Sequence, residues 1–158
     1  MQLNSEWIDL LKKLMIASAK KGNLPNSGLV IEGNDMIASA ESWVISNRDA
    51  TAHSERILVE TVGKLKKSNF TPGLKMVSVV ESCVMCMSAC SQAGYKEIFY
   101  IIPATKYIKK VPWMSDTETI DKIALARSFS NPVSLIHLPQ YEEEFSRVFE
   151  DVYKEYLK

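Results

Sequence analysis

LKMVSVVESCVMCMSACSQAGYKEIFYII, residues 74–102, holds two apolar runs on either side of a helix-length segment. Leu74 to Val80 and Glu97 to Ile102 are rich in β-branched, aromatic and other apolar residues, as expected of strands buried on both faces. Between them Ser82 precedes a helix predicted from about Cys83 to Ala93, and Gly94 is placed to close it in a left-handed conformation. Strand, helix, strand is the unit from which layered α/β sheets are built.

The flanking sequence extends that pattern. Upstream, Leu29 to Ile31 and Met36 to Ile45 read as two strands joined by a hairpin at Gly33-Asn34-Asp35. Before them Ser5 is placed to cap a helix in which Trp7, Ile8, Leu11, Leu14, Met15 and Ser18 recur at helical spacing, ended by Gly22 and Pro25. Thr51 is expected to cap a second helix carrying His53, Glu55, Ile57, Leu58, Val62 and Leu65, which stops before Thr71-Pro72-Gly73. Downstream, residues 103 to 117 read as a long loop, followed by a short helix, a strand from Val133 to His137 and a last helix from about Gln140 to Tyr156. The alternation predicts a layered α/β sandwich, with residues 1–158 as one domain because no repeat or linker interrupts it.

Composition narrows the function. Lys and Arg total 19 and so do Asp and Glu, so there is no global positive field to collect nucleic acid or anionic lipid, and a small-molecule partner is expected. No stretch approaches the ~18 apolar residues that a bilayer span needs, and the first residues lack the pattern of a secretion signal. A cytoplasmic protein without membrane contact is expected. Three cysteines, two of them three positions apart, suit reduced thiols better than a disulfide framework.

Two segments place ligand-type side chains where a helix begins. In Thr51-Ala52-His53-Ser54-Glu55 an imidazole precedes a carboxylate by two residues. In Glu81-Ser82-Cys83-Val84-Met85-Cys86 two thiols share the face of one helical turn. Zinc favours thiolate sulfur and imidazole nitrogen, and the set His53, Cys83, Cys86 leaves a fourth position for water, as catalytic sites do. A helix N-terminus favours the ionised thiolates. Glu55 is assigned to move protons, because a carboxylate beside a metal-activated water can take its proton and redeliver it to a leaving amine. The expected reaction is hydrolytic deamination of an aminated heterocycle with loss of ammonia. Cys83 and Cys86 by themselves would also suit a redox pair, a role in which His53 and Glu55 have no part. Cys90, one turn further on, is read as packing.

Asp49 to Glu55 and Glu81 to Cys86 resemble the two motifs of zinc-dependent nucleobase deaminases, and most closely those of bacterial guanine deaminases and tRNA adenosine deaminases. The likeness reaches across nearly the whole chain, through Pro25 to Ile31, Ile98 to Tyr100 and the terminal Lys154-Glu155-Tyr156. It implies a cytidine-deaminase-like three-layer α/β/α sandwich with a mixed sheet of about five strands, a zinc ion, and a homodimer in which the helix at 140–157 packs on or swaps with a partner. It also implies substrate contacts. Tyr156 corresponds to an aromatic residue lent to the pocket, often that of the partner subunit, Asp116 to a loop aspartate, and Trp113 to a stacking face. The family's base-binding asparagine, eleven residues before the histidine, is Ser42 here; a hydroxyl does not offer an amide's paired donor and acceptor, so the ring edge it meets differs. Ser82 replaces the family's proline, and Ala50 and Ser54 are milder departures, with Ser54 expected beside Ser42 among the substrate contacts.

Lys106, Lys109 and Lys110 form a basic cluster that would suit a phosphorylated substrate, or simply a solvated loop. The acidic residues Glu142, Glu143, Glu144, Glu150 and Asp151 read as the solvated face of the last helix, with Phe145, Val148, Phe149 and Val152 inward; such a face would repel tRNA. Deamination of a free base is thus the first reading. Wobble-adenosine deamination on tRNA is the second, and a zinc-bearing domain without catalysis, suggested by Ser42 and Ser82, is the third.

Overall fold

Among the described residues, five strands pair in one mixed sheet with helices on both faces. The computed structural model describes residues 1–111, 114 and 116–158. In chain order its elements are α1 (Ser5–Lys20), β1 (Ser27–Glu32), β2 (Asp35–Glu41), α2 (Val44–Asn47), α3 (Ser54–Lys66), β3 (Lys75–Val80), α4 (Val84–Gln92), β4 (Glu97–Ile102), α5 (Lys122–Ser128), β5 (Ser134–His137) and α6 (Glu142–Tyr156). The sheet order is β2-β1-β3-β4-β5. β1 runs antiparallel to both its neighbours, and β3, β4 and β5 are parallel.

Side-chain alternation along the strands makes two cores. Leu29, Ile31, Val77 and Phe99 pack with Leu11 and Met15 of α1 and Phe145 and Phe149 of α6. Val30, Met76 and Ile98 face the other way, against Leu58 and Val62 of α3 and Met87 and Cys90 of α4. Cys90 is wholly buried there, so it packs as expected. Gly28 lets α3 lie close on the sheet: a Cβ at that position would stand 2.8 Å from the Val77 carbonyl oxygen and 3.0 Å from Leu58 Cδ1. Gly94 (φ 83°) closes α4, its N–H donating to Ser91 O at 3.0 Å.

The strand expected from Met36 to Ile45 forms only in its first part. β2 ends at Glu41, and Val44–Asn47 is one helical turn. Asn23 Oδ1 accepts from the N–H groups of Ile45 (2.8 Å) and Ser46 (3.1 Å), so a distant side chain takes the donors that a strand would have offered to a neighbour. Arg48 then enters the left-handed region (φ 53°) and redirects the chain toward α3. Two caps differ as well. Asn4, not Ser5, caps α1 by accepting from Trp7 N at 2.8 Å. Thr51 is bound by Asp49 through its N–H (2.8 Å) and hydroxyl (2.7 Å), and His53 holds the N-cap position of α3. A 3₁₀ turn at Pro139–Tyr141 takes the residues expected to begin the last helix, which starts at Glu142.

Candidate metal centre and active-site cavity

His53 and Cys83 are the N-cap residues of α3 and α4, and neither side chain caps its own helix. Both are therefore free to face each other, with His53 Nδ1 and Cys83 Sγ 3.6 Å apart. Cys86 follows in the first turn of α4, and the ligand atoms of His53, Cys83 and Cys86 all lie within 4.8 Å of one another. Two ligands of a tetrahedral zinc, at about 2.0 Å for nitrogen and 2.3 Å for sulfur, stand roughly 3.5 Å apart. The trio therefore fits one such ion.

The electrostatics prepare the sulfurs for a cation. Cys83 is held far below the ordinary thiol range, at about 4, because the Cys86 thiol donates to its sulfur, with His53 adding to the effect. Cys86 is pushed upward by that same hydrogen bond and by burial, so the pair shares one proton. The bond to Cys83 likewise raises His53. Thiolate is the ligating form, and metal binding would displace the remaining proton.

Glu55 lies in the first turn of α3 and is almost fully buried, at 2% exposure. Burial first, and the Cys83 charge second, raise its carboxyl above the usual range, a direction suited to taking and returning a proton near neutral pH. Both its oxygens are held. Oε2 accepts from Ser54 Oγ (2.9 Å) and Asn26 Nδ2 (3.3 Å), and Oε1 accepts from Ser82 Oγ (3.0 Å). Asn26 went unremarked in the sequence. It joins the strands as well: its Oδ1 accepts from Val80 N (2.9 Å) and Ser27 N (3.0 Å), and its Nδ2 also reaches Ser54 Oγ (3.1 Å). Its position directly before β1 was the only signal, and that signal is silent on which strand end it meets.

A cavity of about 200 Å³ opens over these groups. Leu24, Val44, Ile45, Val80 and Met114 supply apolar wall, and Asn26, Ser42, Glu55, Glu81 and Asp116 supply polar edge. Ser42 is fixed by its backbone, its N–H donating to Asn26 O (3.1 Å) and its carbonyl accepting from Ser18 Oγ (3.2 Å). Ser54 is buried under Glu55 and is not among the lining residues. Asp116 does line the cavity, but its carboxylate is engaged: Lys122 Nζ lies 2.5 Å from Asp116 Oδ2, 2.9 Å from Glu81 Oε1 and 3.3 Å from Ser82 O. Trp113 lies outside the described residues. Tyr156 is not part of this cavity; it is exposed on α6, with Lys20 Nζ 5.9 Å from its ring centroid. The basic cluster is dispersed, Lys106 pairing with Glu142 (3.2 Å), Lys109 with Glu118 (2.8 Å) and Lys110 lying over Tyr107. No Lys or Arg is among the described residues lining the cavity.

A histidine and two cysteines able to share one ion, a buried carboxylate beside them and a small cavity above define a metal-dependent hydrolytic site. Residues 1–102 match the model of the cytidine and deoxycytidylate deaminase zinc-binding region, and the chain belongs to that family. It is accordingly a hydrolytic deaminase acting on a C–N bond, with zinc as its cofactor. A tRNA-specific adenosine deaminase of Buchnera aphidicola subsp. Schizaphis graminum is 23% identical over 111 residues, 70% of this chain and 73% of that one. The structure of a guanine deaminase from Nitrosomonas europaea superposes with a TM-score of 0.81 at 13% identity, covering 98% of this chain and 86% of that one. A deaminase acting on A34 at the wobble position of tRNA superposes with a TM-score of 0.75 at 16% identity, over 92% of this chain and 99% of that one. These two superpositions show that the fold is shared. Among the described residues no helix is long and apolar enough to cross a membrane.

Proposed function

We propose that the chain deaminates a free nucleobase or related aminated heterocycle, with the chemistry of a guanine deaminase. The observation that carries this reading is the charge of the cavity: Glu55, Glu81 and Asp116 line it without a Lys or Arg among the described residues. A phosphate entering there would find no free cationic side chain in the described lining, because Lys122 is already engaged by Glu81 and Asp116, whereas a neutral ring with exocyclic amines offers donors to the carboxylate oxygens. Zinc held by His53, Cys83 and Cys86 would supply the Lewis acidity that brings water ionisation near neutral pH. Glu55 takes the proton of the attacking water and delivers protons to the ring nitrogen and the departing amine. Ser42 offers the ring one hydroxyl where an amide would have offered two groups, and Asp116 accepts from an amine on the far edge. Ser54 serves by holding Glu55.

The reading includes a homodimer, with the whole chain as one deaminase domain and α6 reaching across. The exposed place of Tyr156, away from its own cavity, supports a role at a partner's. The likeness to tRNA adenosine deaminases supports a second reading, deamination of adenosine in tRNA. Ammonia release from guanine, other aminopurines, pterins, triazines and cytosines, measured beside a salt-dependent gel shift with tRNA, separates the two. Release from a free base without a tRNA shift is expected. Inosine formation in tRNA, with no release from any free ring, would replace the first reading by the second. Sedimentation analysis tests the dimer.

A further inference from the structure

We propose that Ser82 is a positioning residue that aims the proton-moving oxygen of Glu55, an inference that rests on the deaminase role given to Glu55 above. A carboxylate has about four lone-pair sites, two on each oxygen. Oε2 already accepts two side-chain donors, from Ser54 and Asn26, whereas Oε1 accepts one side-chain donor, from Ser82 at 3.0 Å. Oε1 is thus the oxygen with capacity left for a proton, and the Ser82 hydroxyl fixes the direction of its remaining lone pair. Ser82 is itself enclosed. It is fully buried between the end of β3 and the N-cap of α4, and its carbonyl accepts from Lys122 Nζ at 3.3 Å. Lys122 also pairs with Glu81 and Asp116, which ties the Glu55 clamp to the rim of the cavity.

The proline usual at this position in the resembling deaminases has no side-chain donor, so this hold on Glu55 is a property of the present chain.

The experiment compares zinc-loaded wild type, S82A and S82T by metal content, melting temperature, ammonia release from guanine and crystal structures of the three proteins. Expected for S82A are one zinc per chain, a KM near that of wild type, a kcat lower by about tenfold, as the loss of one hydrogen bond allows, and a Glu55 carboxyl spread over more than one orientation. S82T keeps a hydroxyl and should recover most of the lost kcat, with Glu55 again in one orientation. An S82A protein with wild-type kcat, or with Glu55 still in its single orientation, overturns the proposal. If wild type releases no ammonia from any ring tested, the deaminase reading of the substrate fails, and the orientation of Glu55 in the S82A crystals still decides the role of Ser82.

Discussion

Asn26→Asp is nearly isosteric and exchanges one donor group for an oxygen, so its consequences can be worked from the distances. The amide of Asn26 stands 3.3 Å from Glu55 Oε2 and 3.1 Å from Ser54 Oγ, and both bonds use Nδ2 as donor. In the variant a second carboxylate oxygen faces Glu55 at that separation. At an effective dielectric of about 20, two unit charges 3.3 Å apart repel by about 5 kcal/mol. The pair limits that cost by keeping a proton, which raises a folded-state carboxyl pKa above its unfolded value. The sign follows from linkage. Stability relative to wild type is retained below the unfolded carboxyl pKa of about 4 and is lost as pH rises through the raised folded value. For a chain of this size, each kcal/mol is worth roughly 2–4 °C. The Tm deficit of the variant should therefore grow from a few degrees at pH 5 to about 10 °C at pH 8, and ammonia release at pH 8 should fall by about 10² or more. Thermal melts across pH, with zinc content held at one per chain, make the measurement. A variant whose melting temperature follows wild type at every pH would refute the placement of Asn26 against Glu55.

Other outcomes follow from the same site. Glu55→Gln should keep its zinc, by metal analysis, and lose roughly 10²–10⁴ in kcat, the usual worth of a general acid–base group. Cys86→Ser should purify with well under one zinc per chain and be inactive, because a hydroxyl is a poor substitute for thiolate; full zinc occupancy would remove Cys86 from the ligand set. Lys122→Met leaves Glu81 and Asp116 without their shared cation. Since all three side chains are about nine-tenths buried or more, a loss of roughly 3–5 kcal/mol is expected in denaturant unfolding of the zinc-loaded protein, and a loss under about 1 kcal/mol would place the cluster in solvent.

Local chemistry in the sequence was enough to bring out the trio that can hold an ion and the strand–helix–strand unit at residues 74–102, and to single out Glu55 for the role proposed for it. Each depends on spacing within a few residues: two thiols on one helical turn, a carboxylate two residues from an imidazole, apolar runs bounded by Gly94 and Thr71-Pro72-Gly73. Contacts between distant segments followed another logic. The apolar run through Ile45 ends in a helical turn because Asn23, more than twenty residues earlier, takes its N–H groups. The three donors on Glu55 come from residues 26, 54 and 82, and Lys106 and Lys109 lose their apparent clustering to separate acidic partners. Periodicity and motif spacing report interactions along one element, which the chain carries wherever it folds. Which side chain closes a hydrogen bond across the sheet depends on how the elements pack, and only the assembled tertiary structure brings Asn26 and Ser82 to the same carboxylate.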